Sequence, residues 1–253
     1  MQELTIKLPD SDNQEPILPE TQVWKNLSVE LLNQVFEPLT YYERLQTLYR
    51  YFPPEEVLFT SSFGTKSVLL LYLLHLVKPS QTVHFINTTY HFPQTLAYKE
   101  TLQKLFNLNI VEVLPNEEQN KLTAEEQWWV EHPRMCCTIN KIAPLAPIIA
   151  QHKVWISGLM AYQTNFRKNL RIFEQQGDII KFHPLIDLTE PDFEQLLSAY
   201  HLPPHPLEML GFGSVGCTHC TQAGKGREGR WSKTGKTECG LHPGYFTKQQ
   251  PRS

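Results

Sequence analysis

Five cysteines are the residues of this 253-residue chain whose spacing most clearly suggests chemistry. Cys136 and Cys137 are adjacent, and Cys217 and Cys220 form a C-x-x-C pair in GCTHC. Neighbouring cysteines rarely bridge each other, since a disulfide needs Cα atoms roughly 4.4–6.8 Å apart. Two thiol pairs from distant segments can instead converge on one site, where four thiolates suit a zinc ion or an iron–sulfur cluster. His219 could add a ligand, although a polar loop histidine is the simpler interpretation.

The fifth thiol, Cys239, lies in KTECGLHPG close to the C-terminus. With both pairs assigned, it has no cysteine partner. Lys236 and His242 lie nearby in the sequence, and nearby cations favour the thiolate form that acts as a nucleophile. We therefore predict a nucleophile at Cys239, with an idle surface cysteine as the alternative.

The segment SSFGTKS stands between the apolar run EVLFT and the helical stretch SVLLLYLLHLV. Small residues in such a loop let backbone N–H groups approach a phosphate, and the helix N-terminus that follows adds a favourable dipole. A nucleotide site here would use Ser62, Gly64, Thr65 and Ser67. The spacing lacks the eight-residue Walker form, which argues against an NTP-hydrolysing loop, and a plain strand-to-helix turn is the alternative.

The elements that must position these residues alternate along the chain. Five short apolar runs predict strands: EVLFT, TVHFINT, LNIVEV, VWISG and IIKFHPL. Helical spacing separates several of them, with Pro93 near the start of one helix and Thr189 and Asp192 as a cap signal for another. The alternation predicts an α/β fold with a parallel-rich sheet flanked by helices.

Three regions are predicted along the chain. Residues 1–52 form a polar lead-in followed by two helices, and residues 53–210 form the nucleotide-binding α/β domain. Residues 211–253 form a loop-rich C-terminal segment with the C-x-x-C pair, a basic loop and Cys239.

The composition excludes some functions. A net charge of −3 gives no general attraction to nucleic acid or membrane, so an anionic ligand would need a local basic site. The longest apolar stretch, 67–77, is shorter than the roughly 20 residues of a membrane span. The N-terminal residues lack the apolar core of a signal peptide, which predicts a cytoplasmic protein without a nucleic-acid or membrane partner.

Several stretches together resemble the assimilatory sulfonucleotide reductases, which act on adenylyl sulfate (APS) or phosphoadenylyl sulfate (PAPS). REGRW and KTECGLH are similar to the family's R-x-G-R-W and K-x-E-C-G-L-H. CCTINKIAPL is similar to C-C-x-x-x-K-x-x-P-L, and FINTTYHFPQT to D-T-G-x-x-F-P-E-T. The loop SSFGTKS resembles the S-G-G-x-D-S PP-loop of adenine nucleotide α-hydrolases, with Phe63 in place of a glycine and Lys66 in place of the aspartate. The resemblance runs from about Val57 to Phe246.

This resemblance implies roles for the residues above. In the family, the two cysteine pairs mark the iron–sulfur type, so one [4Fe–4S] cluster is expected on Cys136, Cys137, Cys217 and Cys220. Lys141 is expected between the cluster and the substrate. Further phosphosulfate contacts are expected from Arg167, Arg227, Arg230 and His242. Arginine forks and a lysine suit such an anion.

The implied reaction reduces APS to sulfite and AMP through an S-sulfonate on Cys239, with thioredoxin or glutaredoxin as the electron donor. A nucleophile that meets both partners needs a mobile C-terminal tail. The complete cysteine quartet favours APS. A PAPS-preferring enzyme is the alternative, because Met160 and Ala161 replace two arginines common in the family and the segment after Cys220 is short.

Two other functions are alternatives. A PP-loop ATP pyrophosphatase would need the loop aspartate, where this chain has Lys66. A zinc-stabilised nucleotide-binding module would carry no chemistry and would leave Cys239 inert.

Overall fold

The structure is a computed structural model that describes residues 28–232 and 238–241. Its strands are β1 (Val57–Ser61), β2 (Thr82–Ile86), β3 (Asn109–Val113), β4 (Val154–Ile156), β5 (Phe173–Gln176) and β6 (Ile179–Phe182). They form one sheet in the order β3-β2-β1-β4-β6-β5. All neighbouring strands are parallel except β5 and β6, which pair antiparallel.

Helices connect the strands. They are α1 (Val29–Phe36), α2 (Tyr41–Tyr51), α3 (Val68–Val77), α4 (Pro93–Phe106), α5 (Glu117–Glu125), α6 (Trp128–Glu131), α7 (Pro133–Cys137), α8 (Ala143–Ile149) and α9 (Glu190–Ala199). A π-helical turn, Thr138–Ile142, joins α7 to α8. None of the helices in the described ranges has the length and hydrophobicity to cross a membrane.

Alternate residues of each strand point to opposite faces of the sheet. Phe59 of β1 and Ile156 of β4 lie in the larger core, which is packed with α1, α2, α3, α4 and α9 side chains. Leu58 and Trp155 lie on the other face, in a smaller core with Ile142 and Leu145. Leu241, near the C-terminus, belongs to this second core and is 8% exposed.

The predicted α/β architecture is confirmed, and each of the five predicted strands is present. Pro93 begins α4, and the Thr189 side chain caps α9 by accepting from the Asp192 N–H, as predicted. Strand β5 and helices α5 to α8 were not predicted. The sequence FEQQ of β5 lacks the apolar alternation of a strand, and its pairing with β6 decides its conformation. The three predicted regions and the mobility of the tail stay predictions.

Candidate active site

A cavity of about 310 Å³ opens where the carboxyl ends of the parallel strands meet. The segments that follow β1, β2 and β4 all contribute to its wall. From β1 the sheet continues to β2 on one side and to β4 on the other, so the cavity lies at the switch point where ligands of open α/β sheets bind. Its volume is in the range of small-molecule sites.

The loop between β1 and α3 forms one wall of this cavity, and all four residues predicted there line it: Ser62, Gly64, Thr65 and Ser67. The Thr65 hydroxyl donates to the Gly213 carbonyl at 3.1 Å, and the Ser67 hydroxyl donates to the Gly64 carbonyl at 2.7 Å. The first bond holds the loop against the C-terminal segment, so two distant parts of the chain build one wall, and the second stabilises the loop itself.

The two departures from the PP-loop pattern have different structural roles. Phe63 is fully buried and packs edge-on against Phe85, with ring centroids 5.6 Å apart, so it fills the core behind the loop. Lys66 pairs with Glu194 at 2.7 Å and with Glu208 at 3.6 Å. Its charge is therefore engaged by acids of the protein.

Five cations line the cavity: Lys66, Lys141, Arg167, Arg227 and Arg230. The Arg230 Nη1 donates to the Val215 carbonyl at 3.0 Å and to the Ser214 hydroxyl at 3.3 Å. Its guanidinium lies against Gly216, where a Cβ would stand 2.3 Å from Nη2, so a larger residue there would displace the end of the Arg230 side chain. The chain thus has the local basic site that an anionic ligand requires.

Arg167 and Arg227 both bind a carboxylate of the protein itself. Arg167 donates through Nε and Nη2 to the two Glu238 oxygens at 2.8 and 2.7 Å, and Arg227 Nη2 donates to Glu238 at 3.2 Å. The Thr164 hydroxyl adds a further bond at 2.8 Å. Glu238 is the neighbour of Cys239, so this ion-pair network lies directly beside the predicted nucleophile.

Cys239 lines the large cavity together with these cations. It is partly exposed and forms no disulfide. The next residues continue into the second core, where the Leu241 carbonyl accepts from the Lys181 ammonium at 2.7 Å. Lys181 is 3% exposed and lies 4.1 Å from the centre of the Trp155 ring, and burial lowers its pKa to about 7.

The other four cysteines line a second, smaller cavity of about 10 Å³. Cys136 and Cys137 are the last two residues of α7. The C-terminal segment contributes Cys217 and Cys220. None forms a disulfide, and burial raises the pKa of the Cys136 thiol to about 11. Within the described ranges, no group of three or more His, Cys, Asp or Glu side chains is arranged to hold a metal ion.

Several contacts position the thiols. The Thr88 hydroxyl lies 3.3 Å from the Cys217 sulfur, and the Asn140 amide donates to the Cys136 carbonyl at 3.0 Å. Two aromatic rings cover the cavity, where Trp129 and His219 stack with centroids 3.7 Å apart. His219 is therefore engaged as a stacking partner.

Lys141 lies in the wall of both cavities. Burial acts to lower its pKa, but the surrounding thiol groups, led by Cys217 and Cys137, outweigh burial and raise the pKa above its ordinary value. The ammonium is therefore charged at neutral pH. It brings a fixed positive charge to the boundary between the thiol group and the large cavity.

The structure thus places nine predicted residues around one cavity and the four predicted metal ligands around its neighbour. His242 lies outside the described residues, as does Lys236. Met160 is fully buried in the main core, and neither it nor Ala161 lines the cavity. Sequence reasoning missed Glu238, Lys181 and Thr88. Glu238 could have been found as the one acid next to the nucleophile in an otherwise basic motif.

Comparison with known proteins found similar sequences. Residues 56–223 match the phosphoadenosine phosphosulfate reductase domain. The chain is 38% identical over 197 residues to an adenosine 5'-phosphosulfate reductase of Bacillus cereus, covering 74% of this chain and 84% of that protein. A reductase of the same name from Bacillus mycoides is 38% identical over 198 residues, with the same coverage.

Two solved structures share the fold. One is phosphoadenylyl-sulfate reductase from Candida auris in a phosphate complex, with TM-score 0.67, 22% identity, and coverage of 78% of this chain and 98% of that one. The other is Candida glabrata FMN adenylyltransferase, with TM-score 0.52, 15% identity, and coverage of 80% and 71%. At these identities the likeness concerns the fold alone.

Proposed function

This chain belongs to the phosphoadenosine phosphosulfate reductase domain family of sulfonucleotide reductases, and from that membership we propose that it reduces APS to sulfite and AMP through Cys239. One observation carries the proposal. Cys239 shares a cavity of nucleotide size with the β1–α3 loop and with Lys141 and Arg230. A nucleotide whose phosphosulfate faces these cations would present its sulfur to the thiol.

The first step is attack of the Cys239 thiolate on the sulfur of the phosphosulfate. A sulfur–sulfur bond forms, the bond from sulfur to the bridging oxygen breaks, and AMP leaves with that electron pair. The phosphate of the leaving group gains negative charge, which Lys141 and Arg230 stabilise. The product on the protein is an S-sulfonate, Cys239–S–SO₃⁻.

The second step needs an external thiol. A thiolate of thioredoxin or glutaredoxin attacks the Cys239 sulfur, sulfite leaves with the electron pair, and a mixed disulfide remains. The second thiol of the donor then resolves that disulfide and restores Cys239. A dithiol donor is proposed because the other four cysteines face the second cavity, so none is assigned to resolve the disulfide.

We further propose that Cys136, Cys137, Cys217 and Cys220 hold a [4Fe–4S] cluster. The donor set fits, because four cysteines that form no disulfide line one cavity and four thiolates are the usual ligands of such a cluster. When bound, the cluster would supply charge and a fixed geometry beside Lys141. A zinc ion is the alternative occupant for the same thiols.

APS is the proposed preferred substrate. The relatives at 38% identity carry the name adenosine 5'-phosphosulfate reductase, whereas the structural neighbour named for PAPS is 22% identical. These names support APS, and PAPS preference is the second candidate. With thioredoxin and a reductant, kcat/KM for APS should exceed that for PAPS, and the reverse order would overturn this part of the proposal alone.

The reaction itself is tested without thioredoxin. Protein incubated with APS should release AMP once per chain and gain one SO₃ group on the peptide that contains Cys239, as a covalent intermediate requires. Adding thioredoxin and its reductase should release sulfite from that protein. An adduct on another residue, or AMP release without an adduct, would contradict the proposed mechanism.

A further inference from the structure

Glu238 is a buried carboxylate that the reaction described above does not use. Its side chain is 1% exposed, and its oxygens accept from Arg167, Arg227 and the Thr164 hydroxyl. A buried carboxylate is stable only when such donors compensate for its lost hydration. The contact joins residues 71 positions apart, so it fixes the residue before Cys239 to the rim of the cavity.

We propose that Glu238 is the docking residue of the catalytic tail, and that Arg167 is a positioning residue that acts through Glu238. On this account the ion pair holds Cys239 at the large cavity for its attack on the substrate. The inference rests on the proposed function, and it changes the role expected for Arg167 from the sequence, which was direct contact with the phosphosulfate.

The donors of Arg167 support this assignment. Its Nε and Nη2 bind Glu238, and its Nη1 donates to the Gln163 side chain. The guanidinium therefore has a protein acceptor on each of its three nitrogens. By contrast, the Arg230 Nε is buried with no hydrogen-bond partner among the described residues. Arg230 and Lys141 are thus better placed than Arg167 to receive an anion.

The residues after Cys239 also pack against the rest of the protein. A Cβ on Gly240 would stand 3.0 Å from the Ile142 side chain and 3.7 Å from the Cys137 Cβ, so the backbone passes close to the thiol cavity. Leu241 is buried in the second core. Contacts on both sides of Cys239 therefore hold it in one position. The contact on the N-terminal side is the ion pair of Glu238, and the contact on the C-terminal side is the apolar packing of Leu241.

The test uses three variants of the full chain: Glu238→Gln, Arg167→Gln and the double variant. The rate constant for S-sulfonate formation at saturating APS should fall about 10- to 100-fold in Glu238→Gln, since small misplacements of a reacting group have effects of this size. AMP affinity and iron content should stay within about threefold of the parent, and Glu238→Asp should recover part of the rate. Exposed Glu228, in the same basic segment, provides the matched control Glu228→Gln, which should leave the rate unchanged.

The double variant separates the two roles of Arg167. If Arg167 acts through Glu238, the double variant should be no slower than the slower single variant, because residues that act as a unit are not additive. A raised KM for APS in Arg167→Gln, with effects that multiply in the double variant, would overturn the assignment. An unchanged rate in Glu238→Gln would overturn the docking role.

A second readout does not depend on the reaction. Alkylation of Cys239 by iodoacetamide should be several-fold faster in Glu238→Gln than in the parent, because the undocked thiol is more accessible. Equal alkylation rates would contradict the docking role. A parent protein that shows this protection but forms no S-sulfonate would contradict the proposed function and leave the docking inference standing.

Discussion

Two groups of thiols lie on either side of Lys141 in surroundings of opposite character. Cys136 and Cys137 face a small cavity covered by aromatic rings, where burial raises the pKa of Cys136 to about 11. Cys239 faces a cavity some thirty times larger (about 310 against about 10 Å³), whose wall carries arginines. The comparison shows how one side-chain chemistry acquires two roles: thiols enclosed together suit ligation, and a thiol beside cations and open space suits nucleophilic attack.

The two groups also differ in how their backbone is held. Two of the enclosed cysteines lie on α7, and the other two belong to a short 3₁₀ turn, Thr218–Cys220, which Cys217 immediately precedes and Cys220 ends. A backbone bond of 2.8 Å from the Thr218 N–H to the Tyr90 carbonyl holds this turn. Cys239 lies in a segment held by side-chain contacts. A ligand needs a fixed position, whereas a nucleophile that serves two partners needs an attachment that can be released.

The largest effect is expected at Cys239. Cys239→Ser should lower sulfite release by more than about a thousandfold, because a serine hydroxyl is a far poorer nucleophile at neutral pH. Iron content and AMP affinity should stay at parental values, since neither depends on this thiol. The measurements are sulfite release with thioredoxin, iron analysis and AMP titration. Appreciable turnover in this variant would contradict the assignment of Cys239 as the nucleophile.

The enclosed group should respond in the opposite way. Anaerobically purified parent protein should carry about four iron and four sulfide per chain, and Cys136→Ser should lose most of both together with activity. Met135→Ala, at a half-exposed side chain on the same helix, is the matched control and should keep its iron. Stoichiometric zinc without sulfide in the parent would contradict the proposed cluster and identify zinc as the occupant of this site.

Lys141 tests the boundary between the two groups. Lys141→Met should slow S-sulfonate formation about 100-fold, because it removes a charge that stabilises the leaving group. The exposed Lys225, in the basic segment but outside the cavity wall, gives the control Lys225→Met, for which a parental rate is expected. Rapid quench with mass detection measures both. A parental rate in Lys141→Met would assign the stabilisation to the arginines.

The smallest effect concerns Lys181 and the pH dependence of stability. Burial lowers its pKa from 10.5 to about 7, so between these values the unfolded chain binds more protons than the folded chain. The free energy of unfolding should therefore rise with pH in this window, by at most about 1.4 kcal/mol per pH unit from this group. Below pH 7 the lysine is charged in both states and contributes no slope.

Urea unfolding at pH 7, 8 and 9 measures this slope. Lys181→Met should flatten it relative to the parent, whereas Lys168→Met, at an exposed position, should leave it unchanged. Identical slopes in all three proteins would mean that Lys181 is charged when folded, and that its contact with Leu241 is an ordinary ammonium–carbonyl bond.

Much of this arrangement could be predicted from the sequence, for reasons that are local. Short apolar runs and helix signals predicted the sheet, and the loop SSFGTKS lies at its carboxyl edge, where strand-to-helix loops of parallel sheets are found. The cysteine pairs indicated one shared site because of their number and spacing. Each of these inferences starts from residues that lie within a short stretch of the sequence.

The rest depended on contacts between distant residues. The pairing of Glu238 with Arg167 joins two segments that carry no common pattern, and the burial of Lys181 follows from the packing of Trp155 and the tail. The π-helical turn that carries Lys141 follows from the junction of α7 and α8. Such features come from tertiary packing, which a linear pattern does not contain.

In the proposed cycle the tail is released for the electron donor, and the burial of Leu241 opposes that release together with the contacts of Glu238. Withdrawing a leucine side chain from a core costs about 1.5–3 kcal/mol, which by itself limits the undocked population to roughly one chain in ten to one in a hundred and fifty. A partner thiol that must meet Cys239 outside the cavity encounters only that minority at any instant. In the proposed mechanism, an apolar residue that takes no part in the chemistry therefore helps to divide each catalytic cycle between the time spent facing the substrate and the time spent facing the electron donor.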